Sequence, residues 1–205
     1  MAQEKMKIAV LASGRGSNFI AIHDAILKGE IDAEIDILIS NKPSAGAVDA
    51  ARKRNIDVEV IESKGLPPGE FDERAVSILK ERGIGLVVLA GFMRIVGKTL
   101  IDAFPMKIIN IHPALLPSFK GLDAQKQALD YGAKVAGCSV HFVDEGVDTG
   151  PIIIQKAVEV AANDTVESLS NRILAEEHKI YPEAVRLYVE GRLRLSGRKV
   201  FIDER

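Results

Sequence analysis

Cysteine occurs once in the 205 residues, at Cys138, so no intrachain disulfide can form and a C-x-x-C metal site is excluded. The four histidines, His23, His112, His141 and His178, lack metal-ligand spacing, which argues against a metal centre. Neither sign of charge dominates: the formal net charge is −2, and basic residues are dispersed apart from short clusters such as Arg52-Lys53-Arg54. That cluster reads as a solvated helix face, and nothing electrostatic directs the chain to nucleic acid or to a membrane surface. Long hydrophobic runs are missing as well. Lys7 to Ala12 is too short for a signal core or a membrane span and the first five residues are polar, so a cytoplasmic location is expected. What remains is a globular composition, with 47% hydrophobic and 27% charged residues, at a length that suits one α/β domain with a single core.

Short apolar runs alternate with amphipathic stretches. Strands are expected at Lys7–Ala12, Ile35–Ser40, Val58–Ile61, Leu86–Ala90 and Lys107–His112. Helices are expected at Asn18–Lys28, Ala45–Arg54 and Phe71–Arg82, with a short helical segment before Lys107. These strands read as apolar throughout, as they do when helices cover both faces of a sheet, and the βαβ series argues for an open, mostly parallel, doubly wound sheet. After Pro113 the pattern changes. Leu122–Tyr131 reads as helix, Ala136–Val143 and Pro151–Val160 as an antiparallel strand pair, and Thr165–Gly191 as a long helix. Asp164 or Thr165 would cap that helix, with Glu167 or Ser168 behind it, and Pro182 is expected to kink it. Leu193–Ile202 reads as a terminal hairpin turning at Ser196-Gly197. There is no internal repeat, and Leu66-Pro-Pro-Gly69 reads as a loop rather than a boundary. A single domain over 1–205 is expected, with halves of about 1–105 and 106–205.

Ser13-Gly-Arg-Gly-Ser-Asn18 lies where the first strand gives way to the first helix. Glycines permit a tight turn, and free N–H groups at a helix start favour an anion. It is not a dinucleotide fingerprint: Phe19 takes the third glycine position, and the second strand ends in Ser40-Asn41 rather than an acid. No G-K-[ST] follows, so it is not a P-loop. A phosphate held by Gly16, Ser17 and Asn18 and a simple turn into a capped helix are equally good readings of this loop alone.

Asn110-Ile-His112 ends a central strand just before Pro113. Residues i and i+2 share a face, so Asn110 and His112 point together, at the strand end where open α/β sheets bind ligands. An amide can donate to a developing oxyanion, and an imidazole can donate and pass a proton. Gly146-Val-Asp148-Thr-Gly150 offers a carboxylate that would orient the ring and raise its pKa. The set suits carbonyl chemistry; the alternative is that Asn110 and His112 only satisfy neighbouring backbone and Asp148 only caps a turn.

Five ordered segments extend this pattern: Val10–Asn18, Leu89–Val96, Ile109–Pro117, Gly137–Pro151 and Glu177–Pro182. Over nearly its whole length the chain resembles the phosphoribosylglycinamide formyltransferase family, folate-dependent enzymes of purine synthesis. The resemblance implies a formyltransferase fold and transfer of a formyl group from 10-formyltetrahydrofolate to the amine of glycinamide ribonucleotide, with no metal and no covalent enzyme intermediate. It implies that the substrate phosphate rests on Gly16, Ser17 and Asn18, and that Glu177 contacts the ribose or glycinamide. The folate would lie along Met93, Arg94, Ile95 and Val96 and under the Val143–Asp148 loop, touching Asn110, Val143 and Asp144. Asn110, His112 and Asp148 match the catalytic positions, with His112 held protonated by Asp148. The partners implied are these small molecules, for a monomer or homodimer. Deformylases and tRNA formyltransferases share this core but add an N-terminal regulatory domain or a C-terminal RNA-binding barrel, for which this chain has no room.

Glu177 has support independent of the resemblance. Leu169, Ile173, Glu177, Ile180, Ala184 and Leu187 follow helical spacing, so a carboxylate falls on an apolar stripe, where it is costly unless paired. The alternative is a side chain that snorkels to the stripe's edge. Two departures concern the folate tail: Leu122-Asp-Ala-Gln125 replaces the histidines of many relatives, and Pro68 stands where some carry a basic residue. His141, on the same side of its strand as Ser139, is expected to be structural near the site, and His23 to lie on a helix surface.

Overall fold

The protein is described by a computed structural model covering residues 5–204. Seven strands form one sheet in the order β3-β2-β1-β4-β5-β6-β7. They are β1 (Met6–Ala12), β2 (Ala33–Ser40), β3 (Asp57–Val60), β4 (Leu86–Leu89), β5 (Ile108–His112), β6 (Val135–Phe142) and β7 (Ile152–Glu159). β1 pairs in parallel with β2 and β4, and β2 with β3, whereas β6 and β7 are antiparallel. The mostly parallel sheet with an antiparallel pair in the C-terminal half is the architecture expected from the strand pattern. The chain divides into two compact units, one ending at Ile109 and the other beginning at Asn110.

In the first unit, α1 (Ser17–Leu27), α2 (Gly46–Arg52), α3 (Glu70–Glu81) and α4 (Lys98–Ala103) connect the strands. β4 is buried at all four positions, as a strand without a solvent face must be when both its sides are covered. β3 departs from the expectation of apolar strands. It ends the sheet, and Asp57 and Glu59 alternate outward with the half-buried Val58 and Val60. Charged residues on an edge strand discourage pairing with another chain. His23 also departs from expectation: its side chain is 13% exposed, with the ring 6.2 Å from that of Phe19. β1 leads to β2 on one side, and β4 lies on the other, so the order reverses between β1 and β4. That reversal is where open α/β sheets accept ligands.

In the second unit, α6 (Val166–Val189) packs on β6, β7 and α5 (Ala124–Tyr131). Thr165 is the N-cap of α6, its hydroxyl accepting from the Ser168 amide at 3.1 Å while the Ser168 hydroxyl accepts from the Thr165 amide at 2.9 Å. This reciprocal box satisfies two donors that the helix start would leave open. α6 runs as one helix through Pro182. The apolar stripe read from the spacing is buried along its length, Glu177 included at 7% exposure. Cys138 is fully buried on β6; burial, then the nearby Glu177 and Glu176 carboxylates, push its thiol up to about 12. β8 (Leu193–Ser196) and β9 (Lys199–Ile202) form the expected hairpin. Among the described residues no helix is long and apolar enough to cross a membrane, and no cluster of three or more His, Cys, Asp or Glu is placed to hold a metal ion.

Candidate active site

In the first unit, the chain leaves β1 through Ser13 and enters α1 at Gly16, which adopts the left-handed region at φ 81°. A Cβ there would stand 2.8 Å from both Cα and Cβ of Ala47, so conformation and space both demand glycine. As N-cap, Gly16 brings no side chain to the first amides of α1, and no side-chain bond caps the helix. A helix start of this kind suits both an anion and a plain turn into the helix. The Asn18 side chain is buried at 8% exposure and Ser17 is half-buried.

Ser13 connects this loop to its neighbours. Its hydroxyl donates to Asn41 Oδ1 at 2.6 Å and accepts from the Met93 amide at 2.8 Å, while its own amide donates to the Gly91 carbonyl at 3.1 Å. Asn41 therefore stands at the end of β2 as a tether for the first loop, where a dinucleotide fold would place an acid. The segment after β4 is fixed beside it, with Met93 and Ile95 exposed at 62% and 74%. Val96, grouped with them from the sequence, is turned inward at 8% exposure, so its side chain is core.

In the second unit, the Asn110 and His112 side chains meet at Asp148, as their shared face of β5 requires. His112 is 4% exposed, with Nδ1 3.3 Å from Asp148 Oδ2 and Nε2 2.8 Å from the Phe119 carbonyl oxygen. Asn110 Nδ2 lies 3.5 Å from Asp148 Oδ1 and 3.2 Å from His141 Nε2. His141 Nδ1 lies 2.7 Å from the Phe142 carbonyl oxygen, and its Nε2 faces both the Asn110 amide and Asp148 Oδ1, the latter 3.6 Å away. Asp148 is also bound at Oδ2 by the Gly121 amide, 2.9 Å away. Phe119 and Asp148 both adopt positive φ, at 51° each, so the two residues flanking the imidazole sit in sparsely populated backbone conformations. Gly150 closes the loop against β6; a Cβ there would overlap the Phe142 carbonyl oxygen. Asp144 Oδ1 closes the other side, accepting from the Thr149 hydroxyl at 2.5 Å and the Gly146 amide at 3.2 Å, with Val143 half-buried beside it.

Burial works to raise the Asp148 carboxyl, but the hydrogen bonds from His141 and Gly121 and the facing imidazoles outweigh it, and its pKa is lowered. His112 goes the opposite way from the expectation that Asp148 holds it protonated. Burial draws its pKa down, and the Phe119 carbonyl and Asp148 only partly oppose this, with His141 adding to the fall. Both ring nitrogens face oxygen acceptors, so the ring is fully satisfied only with a proton on each. The second proton is thus accommodated by geometry yet weakened by desolvation, which makes the imidazolium a stronger acid than in water.

His141, read from the sequence as structural near the site, stands against both Asn110 and Asp148. The available signal was the pair Ser139 and His141, two polar residues on one face of an otherwise apolar strand. Ser139 itself fixes the turn after His112: its hydroxyl donates to the Ala114 carbonyl at 2.6 Å and accepts from the Leu116 amide at 3.0 Å. Gln155, opposite on β7, donates to that hydroxyl at 2.8 Å and to the Leu116 carbonyl at 2.9 Å. Glu177 lies on α6 in the same unit, close enough to Cys138 on β6 to act on its thiol.

The class of protein is that of the formyl transferases: residues 6–185 match that family, and the chain belongs to it. Its relatives carry a particular name. The phosphoribosylglycinamide formyltransferase of Bacillus subtilis is 45% identical over 181 residues, which cover 88% of this chain and 93% of the relative. The crystal structure of glycinamide ribonucleotide transformylase 1 from Symbiobacterium toebii superposes with a TM-score of 0.95 at 49% identity, covering 98% of this chain and 95% of that one. The trifunctional purine biosynthetic protein adenosine-3 of Homo sapiens is 45% identical over 195 residues, 95% of this chain. This chain spans only 19% of the length of that relative and 20% of its Bos taurus counterpart.

Proposed function

We propose that the chain transfers the formyl group of 10-formyltetrahydrofolate to the amine of 5-phosphoribosylglycinamide, yielding formylglycinamide ribonucleotide and tetrahydrofolate in cytoplasmic purine biosynthesis. The observation that carries this reading is the convergence of Asn110, His112 and Asp148 in a chain of the formyl transferase family. A single formyltransferase domain over 1–205, acting on small molecules as a monomer or homodimer, is part of the reading.

The substrate phosphate is taken up by Gly16, Ser17 and Asn18 at the start of α1, where N–H groups and the helix dipole favour it. The folate-binding residues are Met93–Val96 in the first unit and Asn110, Val143 and Asp144 in the second; Val96 contributes through its main chain, and Asp144 chiefly by holding its loop. The amine attacks the formyl carbon, the carbonyl oxygen takes up the electron pair, and the carbon–nitrogen bond to the folate breaks when the tetrahedral intermediate collapses. The attacking amine loses a proton and the folate nitrogen gains one. Asn110 and the His112 imidazolium stabilise the oxyanion, and His112 is positioned to give up its proton because burial makes that proton labile. Asn110 N–H groups face His141 and Asp148, and His112 Nε2 faces the Phe119 carbonyl. The formyl oxygen therefore competes with partners already in place.

An assay that follows tetrahydrofolate release with and without glycinamide ribonucleotide tests the reading. Release is expected only with the acceptor present; release without it would indicate transfer to water, and none in either case would overturn the enzymatic assignment. Glu177 reads the ribose or glycinamide in this scheme, so Glu177→Gln is expected to raise the KM for glycinamide ribonucleotide about tenfold, as loss of a charged hydrogen bond does. The KM for the folate should stay near its original value.

A further inference from the structure

The segment between β4 and α4 offers two largely exposed apolar side chains, Met93 and Ile95, on backbone that belongs to no helix or strand. Ordering such a stretch costs backbone entropy, so its geometry has to be imposed by its surroundings. Ser13 holds its beginning. Its far end meets the first turn of α3, where Phe71 and Asp72 are buried at 1% and 6% exposure. The Phe71 ring packs 5.6 Å from that of Phe92 and carries the Arg94 guanidinium 4.8 Å from its centroid. Asp72 Oδ2 accepts from the Gly97 amide at 2.7 Å, and the Arg94 charge acts on the same carboxylate.

A carboxylate inside the fold is a cost. Burial pushes the Asp72 carboxyl up, against the pull of the Gly97 amide and Arg94. The Gly97 amide and the Arg94 charge oppose that cost in part, and both belong to the segment after β4. Three contacts therefore fall on Phe92, Arg94 and Gly97 and enclose Met93–Val96 between them. The close fit is also visible from the other side, where a Cβ on Gly97 would run into the Asp72 carboxylate.

We infer that Phe71 and Asp72 are positioning residues for the co-substrate: they set the Gly97 backbone and the Arg94 guanidinium so that Met93–Val96 meets the folate in one preformed conformation. The inference rests on the reading of Met93–Val96 as the folate-binding segment. A preformed segment spares the ordering cost at binding, so its loss appears in affinity for the folate rather than in the chemical step.

Steady-state kinetics with both substrates varied test this. Asp72→Ala is expected to raise the KM for 10-formyltetrahydrofolate about tenfold, with kcat and the KM for glycinamide ribonucleotide within about twofold. Asp72→Asn keeps an oxygen acceptor for Gly97 but no charge for Arg94, and should recover part of the loss. Gly97→Ala displaces the carboxylate with one methyl group, decides the matter if Asp72→Ala fails to fold, and should show the same signature. An unchanged folate KM in the folded variants, or a parallel loss in all three constants, overturns the inference. Ile95→Ala separates the two levels. If it raises the folate KM while the Asp72 and Gly97 variants do not, the segment binds folate without this bracket; if it too has no effect, the reading of the segment falls and the inference with it.

Discussion

Asp148→Asn should lower kcat/KM by about 10²- to 10⁴-fold, the range over which positioned acid–base groups contribute, while the protein remains folded. Both carboxylate oxygens of Asp148 face donors: Oδ1 faces the Asn110 amide, and Oδ2 the Gly121 amide and His112. An asparagine must turn its N–H₂ toward one of these sets, so one donor meets another whichever way it flips. His112→Asn is expected to fall in the same range. The pH profile adds a signed test. The His112 pKa is already lowered by burial, and the Asp148 charge is one of the influences holding it up. Where the imidazolium acts, kcat/KM declines as pH rises through that pKa, and Asp148→Asn moves the decline to lower pH. Stability gives the opposite dependence: the Asp148 carboxyl is lowered in the fold, so its contribution is complete above the unfolded value and is lost as pH falls through the folded one. Near-normal turnover in both variants would reject the roles assigned to this cluster.

Gly16→Ala is the second large effect. The substitution places a side chain in the left-handed region and drives a methyl into Ala47, costs that together amount to about 2–5 kcal/mol. Urea denaturation should show the shift in midpoint, and the KM for glycinamide ribonucleotide should rise at least about tenfold as the loop leaves the α1 start. Gly14 is the internal control. An added Cβ there meets nothing within 4 Å, so Gly14→Ala is expected to be tolerated on both measures. Equal behaviour of the two variants would show that neither close packing nor backbone conformation at Gly16 matters to the site.

What could be read from the sequence was local. The Thr165–Ser168 box, the buried Glu177 and the common face of Asn110 and His112 all follow from spacings of two to four residues, which helix and strand geometry translate directly into direction. The less legible features depend on distant partners. His141 meets Asn110 across 31 residues, and β6 is buried at seven of its eight positions, so alternation could not show which face carried chemistry. Val58–Ile61 looked like the other strands because apolar periodicity does not reveal which strand ends a sheet. A facing carboxylate on its own would hold His112 protonated, but the size of the desolvation that opposes it is set by packing. Asp72 belongs to α3 by sequence and to the segment after β4 by contact, a relation that only the fold establishes.

The single buried cysteine has a practical meaning. With Cys138 fully covered on β6 and its thiol pushed up to about 12, a thiol reagent in neutral solution finds neither access nor thiolate. Reaction has to wait for a fluctuation that exposes β6, so the labelling rate of the unaltered protein measures how often the strand bearing His141 comes loose. The chain thus contains a one-site clock for the opening of its own catalytic half, with no second thiol to blur the reading.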